Sequence, residues 1–339
     1  MKPRYNVAVV GATGAVGTEM LRVLQERRFP VKGIRLLASS RSAGRRVPFN
    51  GSVHKVEELR RRSFDGIDVA LFTAGASRSL EFAPEAVKRG AVVVDNSSAF
   101  RMSADVPLVV PEVNPQALKG HQGLIANPNC STIIMLLPLA PLHRAVRITR
   151  IVVSTYQSVS GAGAKAMYQL WSETQTLMSK WRVTSDQWRQ TEFSRRLVTR
   201  HPSPVTPLPA QIAFNVIPQI DVFLDNRSTK EEMKMVHETR KILEAPRLPI
   251  SATCARVPVF IAHSEAVWIE TERPLSVEQA RRLLRQAPGV RLVDDPSAGA
   301  YPLPVDAADE HLVAVRGVDR QRVRAARRVI DELHARRMP

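Results

Sequence analysis

The most constraining feature of the chain is a glycine loop set between a strand and a helix. Tyr5–Val10 is a short β-rich run, Gly11-Ala-Thr-Gly14-Ala-Val-Gly17 follows it directly, and Val16–Arg27 has helical spacing. Glycine is required where a chain turns tightly, where backbone approaches a pyrophosphate and where a helix packs closely on a strand. The helix start then offers unpaired N–H groups and the positive end of a dipole to phosphate. Glycine spacing alone is a weak signal, but the strand–loop–helix context turns it into the expectation of a dinucleotide site.

The alternation continues beyond the loop. Ile34–Ala38, Asp68–Thr73, Ala91–Val94 and Leu108–Val110 are further apolar runs, and Pro84–Arg89 reads as a helix between two of them. Strands alternating with helices predict an α/β, Rossmann-type, doubly wound parallel sheet. From about Arg150 the texture changes. Ile151–Ser158 and Ala255–Glu270 are longer and rich in valine and isoleucine, while Thr229–Leu243 reads as a helix. This predicts a second, central α+β domain whose sheet is largely antiparallel. A length of 339 residues agrees with two domains at roughly 100–200 residues each. The stretch from about Ser179 to Pro209 is polar, basic and then proline-rich, and reads as a loop excursion.

The second strand carries the choice of nucleotide. An NAD site places Asp or Glu near its end to bond the ribose 2′-hydroxyl. Here Ile34–Ala38 runs into Ser39-Ser40-Arg41-Ser42 with no acid. Hydroxyls and a guanidinium suit a 2′-phosphate, to which arginine makes paired charge-assisted bonds. NADP is the expected cofactor.

Ala126-Asn-Pro-Asn-Cys130-Ser-Thr132 leads into the apolar segment Ile133–Leu142. Asn-Pro favours a turn, and Ser, Thr and Asn beside an apolar run mark a helix start. A thiol at a helix N-terminus has its thiolate stabilised and becomes a nucleophile, whereas a lone cysteine is more often a small buried hydrophobe. Further polar groups sit at the ends of strand-like runs: Asp95–Arg101, Tyr156–Gly163, and Arg256–Val267 with its arginine and histidine. Arg256 and His263 differ by an odd number, so one unbroken strand would put them on opposite faces; a break near Pro258 would restore a shared face.

These segments together resemble the aspartate-semialdehyde dehydrogenase family. The similarity runs in order through residues 11–17, Asn-Ser-Ser-Ala-Phe-Arg (96–101), Val-Pro-Glu-Val-Asn (110–114) and Asn-Pro-Asn-Cys-Ser-Thr (127–132). It continues through Gln-Ser-Val-Ser-Gly-Ala-Gly (157–163), Phe-Asn-Val-Ile-Pro-Gln-Ile-Asp (214–221), Thr-Lys-Glu-Glu-Met-Lys-Met (229–235) and 256–267. It covers roughly residues 5–175 and 210–306.

The resemblance implies a phosphorylating oxidation of L-aspartate 4-semialdehyde to 4-phospho-L-aspartate with NADP, run in reverse for lysine, threonine and methionine biosynthesis. Cys130 would be the nucleophile that forms a thioester, His263 the general acid/base, and Gln157 a catalytic and substrate-orienting residue. Arg256 would clamp the substrate α-carboxylate, and Glu231, like Gln157, would orient the substrate. Arg101, Asn129 and Lys234 would bind phosphate. Gly11, Thr13, Gly14, Ala15, Val16, Ser39, Ser40 and Arg41 would hold the cofactor, with Ser160 and Gly161 near the nicotinamide. Residues 1–130, completed by about 307–339 of the tail, would be the NADP-binding domain. Residues 131–306 would be the catalytic and dimerisation domain of a homodimer or larger homo-oligomer.

After Asp306 the tail departs from the family pattern. His311–Arg316 is followed by an Ala/Arg-rich helix-like stretch from about Asp319 to Arg336. This keeps open a second account, a catalytically impaired homologue acting as a binding or structural protein. The formal net charge of +17 raises a third, nucleic-acid binding. Residues 178–200 carry six Lys/Arg against two acids and residues 316–339 carry eight against three, but aromatic residues are only 5% and none interleaves as a stacking motif. No nucleic-acid partner is expected. The two cysteines make neither a disulfide framework nor a metal site by themselves. No signal peptide is read, since the N-terminal apolar run is short and no cleavage-site pattern follows, and no membrane span, since Ile133–Leu142 is short and interrupted by Pro138 and Pro141. A cytoplasmic protein without a membrane partner is the expectation.

Overall fold

A computed structural model describes residues 4–179, 207–293, 301–308 and 312–315. The chain divides into two compact units, 1–130 with 159–217, and 131–158 with 218–339. The basic stretches and the helix expected over 319–336 fall almost wholly outside the described residues.

The first unit holds a seven-stranded sheet. Its strands are β1 (Tyr5–Val10), β2 (Val31–Ala38), β3 (Arg46–Phe49), β4 (Ser52–Glu58), β5 (Val69–Phe72), β6 (Val92–Asp95) and β7 (Leu124–Ala126), in the order β3-β4-β2-β1-β5-β6-β7. All neighbours are parallel except the β3–β4 hairpin at the edge. From β1 the chain goes first to one side (β2) and later to the other (β5), so the C-terminal end of β1 is the switch point where such sheets open a crevice. The sheet is apolar on both faces: Val7, Val9 and Leu36 belong to one buried cluster, while Ala8, Val10, Phe72 and Val93 belong to another. Both-face burial explains why the central strands read as continuous apolar runs. Helices α1 (Ala15–Glu26) and α2 (Ala76–Lys88) follow β1 and β5.

Three details depart from the sequence reading. The β3–β4 hairpin was not read from the sequence, because Arg46, His54, Lys55 and two glutamates mask a weak alternation. Leu108–Val110 is not a strand; it makes a single bridge, Leu108 to Ala126. The apolar segment after Cys130 is one helix, α3 (Cys130–Val146), which continues through Pro138 and Pro141. Met135, Leu136, Leu139 and Ala140 are buried on it, and packing on this scale outweighs the roughly 3 kcal/mol that an interior proline costs. Among the described residues no helix is long and apolar enough to cross a membrane.

The second unit is built on three strands, β8 (Ile148–Gln157), β9 (Ile250–Arg256) and β10 (Ser264–Thr271), in the order β10-β8-β9. β10 runs antiparallel to β8 and β9 runs parallel to it. The sheet is therefore mixed rather than largely antiparallel, because the chain between β8 and β9 crosses over through α5 (Lys230–Ile242) after α4 (Ala164–Ser179). Two registers matter most. Thr155 pairs with Glu265 on one side and Cys254 on the other, and Gln157 pairs with Arg256. Below these rows Ile151, Val153, Val267 and Met235 form the core with α6 (Val277–Gln286). Of the tail, β12 (Val313–Val315) pairs in parallel with β11 (Val290–Leu292).

Candidate active site

The glycine loop lies at the switch point described above. Gly11 has φ +92°, and a Cβ there would sit 3.1 Å from the Thr73–Ala74 backbone. Gly17 is tighter: its Cβ would lie 2.2 Å from the Gly11 carbonyl oxygen. No larger residue fits without moving backbone. Helix α1 starts at Ala15, and no side chain caps it. Gly14, Ala15 and Val16 are exposed, and Thr13 is partly so. A crowded loop under an uncapped, solvent-facing helix start fits a pyrophosphate, which supplies the missing acceptors. At the end of β2, Ser39, Ser40 and Arg41 are exposed in a short 3-10 turn. No carboxylate stands among these three residues, and their hydroxyls and guanidinium fit a 2′-phosphate. Ser160 and Gly161 lie in the turn Val159–Ala162 that follows β8.

Cys130 is the first residue of α3 and its thiol is exposed. The turn before it is tied to the end of β6: Asn127 donates its backbone N–H to the Asp95 carbonyl at 2.8 Å and its amide to Asn96 Oδ1. Arg101 is 7% exposed and donates to the Asn96 carbonyl at 2.9 Å, and Asn129 is also buried. The other cysteine, Cys254, is fully buried beside Met235. Burial, with the Glu231, Glu232 and Glu265 carboxylates nearby, pushes its thiol up to about 12 despite a bond from Thr155. It is inert as a nucleophile.

The second unit gathers its polar residues in one row of the three-stranded sheet. Arg256 ends β9, Gln157 ends β8 opposite it, and His263 immediately precedes β10, in line with the pairing of Ser264 with Tyr156. The expected conflict between Arg256 and His263 disappears, because residues 257–263 reverse the chain, with Ala262 at φ +66°. One side chain ends β9 and the other immediately precedes β10, on either side of Gln157.

Gln157 is the bridge of this row. Its Nε2 donates to Glu231 Oε1 at 3.1 Å and its Oε1 faces Arg256 at 3.5 Å. Arg256, 5% exposed, also donates to the Ser158 carbonyl at 2.8 Å. Glu231 arrives on α5 through a capping box: Thr229 accepts from the Glu232 N–H, and Glu232 accepts from the Thr229 and Cys254 N–H groups. The first turn of α5 is thereby bolted to β9. Lys234 donates to Glu231 and to Asp221, each at 3.0 Å. Burial alone would depress the Lys234 ammonium, but those two carboxylates outweigh it and hold it above the ordinary lysine value.

His263 accepts a hydrogen bond at Nδ1 from the Ser158 backbone N–H at 3.0 Å, and the Ser158 hydroxyl lies at the same distance. A backbone N–H can only donate, so the neutral ring carries its proton on Nε2. Burial, followed by the Arg256 charge, lowers the imidazole to about 4 against a partial counter-effect of Glu231. His263 is neutral at physiological pH and presents an N–H donor.

Three contributors escaped the sequence reading. Ser158 and Asp221 lie inside the quoted motifs, but their partners are 105 and 13 residues away. Glu265 sits one row below His263. Among the described residues neither of its oxygens has a hydrogen-bond partner, and burial pushes its carboxyl up to about 8. A glutamate on an alternating strand signals only a polar face.

Comparison with known proteins agrees with this architecture. Residues 6–121 match the semialdehyde dehydrogenase NAD binding domain and residues 139–332 match the semialdehyde dehydrogenase dimerisation domain. The aspartate-semialdehyde dehydrogenase of Bacillus subtilis is 49% identical over 311 residues, 91% of this chain and 86% of that protein. The crystal structure of aspartate semialdehyde dehydrogenase II from Vibrio cholerae superposes with a TM-score of 0.82 at 45% identity, over 93% of this chain and 88% of that one. A second structure of that enzyme, complexed with ASA, gives 0.80 at 45% identity over 91% and 86%. With an uncapped nucleotide loop, a cysteine opening a helix and a buried row of opposite charges in one chain, and with both family domains matched in order, the chain belongs to the aspartate-semialdehyde dehydrogenase family of oxidoreductases.

Proposed function

We propose that the chain interconverts L-aspartate 4-semialdehyde and 4-phospho-L-aspartate, with NADP as cofactor and a thioester on Cys130, in the biosynthesis of lysine, threonine and methionine. The observation that carries this reading is the Arg256–Gln157–Glu231 row. A buried guanidinium and a buried carboxylate bridged by one amide match the α-carboxylate and α-ammonium of an amino-acid head group. A neutral histidine donor follows on the same face.

Gly11, Thr13, Gly14, Ala15 and Val16 would hold the cofactor pyrophosphate, Ser39, Ser40 and Arg41 its 2′-phosphate, and Ser160 and Gly161 the nicotinamide end. Bound there, the cofactor supplies the hydride acceptor for the oxidative step. Cys130, its thiolate stabilised by the start of α3, attacks the aldehyde carbon. His263 donates an Nε2 hydrogen bond to the carbonyl oxygen and stabilises the oxyanion formed by the attack until the thioester carbonyl is regenerated. Arg101, Asn129 and Lys234 bind inorganic phosphate. A phosphate oxygen then attacks the thioester carbon, the C–S bond breaks, and the Cys130 thiolate returns as the acyl phosphate leaves.

In this reading residues 1–130 form the NADP-binding domain and 131–306 the catalytic and dimerisation domain of a cytoplasmic homodimer or larger homo-oligomer. The test is phosphate-dependent reduction of NADP⁺ by the purified protein with L-aspartate 4-semialdehyde, compared with NAD⁺ and with Cys130→Ala. Turnover that needs phosphate, prefers NADP⁺ and vanishes in the variant is the expected result. A folded wild-type protein without turnover sinks it and leaves a binding or structural role.

A further inference from the structure

One hydrogen-bonded frame in the first unit ties together two loops that the proposed reaction needs at a set spacing. Asp95, at the end of β6, is fully buried. Its Oδ1 accepts from the Ser79 hydroxyl of α2 at 2.7 Å and from the Ser97 N–H at 3.0 Å, and its Oδ2 accepts from the Ser97 hydroxyl at 2.7 Å. Ser97 Oγ in turn accepts the Ala99 N–H at 3.1 Å. A buried carboxylate with three donors is a rigid anchor, and here it holds the start of the loop that ends in Arg101.

Asn96, the next residue, is the hub. Its N–H donates to the Phe72 carbonyl of β5 at 2.9 Å. Its own carbonyl accepts from the Arg101 guanidinium at 2.9 Å, and its side-chain oxygen accepts from the Asn127 amide at 2.5 Å. Asn127 stands three residues before Cys130, and its N–H is bonded to the Asp95 carbonyl. One residue therefore grips the guanidinium expected to hold phosphate and the turn expected to carry the nucleophile.

We propose that Asn96, anchored by Asp95, is a positioning residue that sets the spacing between Arg101 and the Cys130 turn, and so governs capture of phosphate at the thioester. The proposal rests on the reaction proposed above. Its signature is selective. Phosphate would meet Arg101 and Asn129, one on each loop, so its binding reads the spacing. The aldehyde's amino-acid head group is recognised by the Arg256 row and does not. A misplacement of about 1 Å between reacting groups is enough for a large loss of rate.

The experiment measures steady-state kinetics of the full-length protein and of Asn96→Ala, Asn96→Asp and Asn127→Ala. Loss of one neutral hydrogen bond between the loops is expected to raise the KM for phosphate about tenfold, with the KM for the aldehyde almost unchanged. Asn96→Asp keeps the acceptor and should restore the wild-type value; Asn127→Ala removes the donor and should reproduce Asn96→Ala. It also carries the test if Asn96→Ala lacks a cooperative melt. An unchanged phosphate KM in both alanine variants overturns the proposal. So does an equal rise in both KM values, or an Asn96→Asp variant as impaired as Asn96→Ala.

A readout without turnover separates this idea from the reaction on which it rests. Inorganic phosphate should slow alkylation of Cys130 by iodoacetamide, and the half-protecting concentration should rise about tenfold in Asn96→Ala. That shift in a wild-type protein without dehydrogenase activity would retain the hub and discard the reaction. Absence of protection in an active wild type would overturn the hub alone.

Discussion

The two units prepare for ligands in opposite ways. In the first, the nucleotide loop works by what is missing: no Cβ at Gly11 or Gly17, no side-chain cap on α1 and no carboxylate after β2. Backbone dipoles face outward and little charge is buried for the purpose. In the second, the proposed function rests on what is crowded in. Arg256, Glu231, Gln157 and His263 converge in one row, with Lys234 and Asp221 extending it. A backbone site tolerates change around it but no added atom within it. A buried charge network tolerates volume changes poorly and loss of one partner worse, because the remaining charge stays behind without compensation.

Three experiments would break or sharpen this contrast. The largest effect is expected for Arg256→Ala, which removes a guanidinium that is almost wholly buried. It should lower kcat/KM for the aldehyde about 1000-fold, on the order of 4 kcal/mol, while NADPH affinity by fluorescence titration stays at the wild-type value. Nearly normal kinetics would show that the row is structural only.

Next comes Gly17→Ala. A methyl 2.2 Å from the Gly11 carbonyl has to push backbone aside, at a cost of about 3 kcal/mol in urea unfolding. Alanine is otherwise the better helix residue, so neutrality or stabilisation here would refute the crowding argument.

Glu265→Gln should have the smallest effect, and its sign depends on pH. The folded carboxyl, at about 8, keeps a proton that the unfolded chain, near 4.5, has already released. Its contribution to stability is complete below about 4.5 and is lost as pH rises to 8. His263, at about 4 when folded and 6.5 when unfolded, acts in the other direction, so stability falls as pH drops below 6.5. The two slopes oppose each other between 4.5 and 6.5. From pH 6.5 to 8 only Glu265 remains, and wild-type stability should fall by about 2 kcal/mol. Glu265→Gln should flatten that window in denaturant titrations at pH 6.5, 7.25 and 8. An unchanged slope would mean that Glu265 is solvated or ion-paired in solution.

Much of the first unit was legible in the sequence because its determinants are local. The strand, glycine loop and helix occupy residues 5–26 without interruption, and a continuous apolar strand reports burial on both faces. The β3–β4 hairpin was missed because its outward positions are charged and its apolar positions too few to show a period of two. The second unit was less legible. Strand β9 returns in parallel after a long crossover, and Arg256 and His263 read as one apolar segment although a turn separates them.

The sequence by itself determined the residue types and the order of the motifs, and so the chemistry available: a cysteine where a helix begins, glycines where a strand turns into a helix, and an arginine where a later strand ends. Only the tertiary structure decided which side chains meet. Gln157 finds Glu231 across 74 residues and Ser158 finds His263 across 105, so strand register, which no local pattern encodes, selects the bridge and the histidine tautomer. Burial is likewise a property of the fold. The sequence marks Cys130 by its place at a helix start and leaves Cys254 without a role, while the structure exposes the first thiol and seals the second in the core.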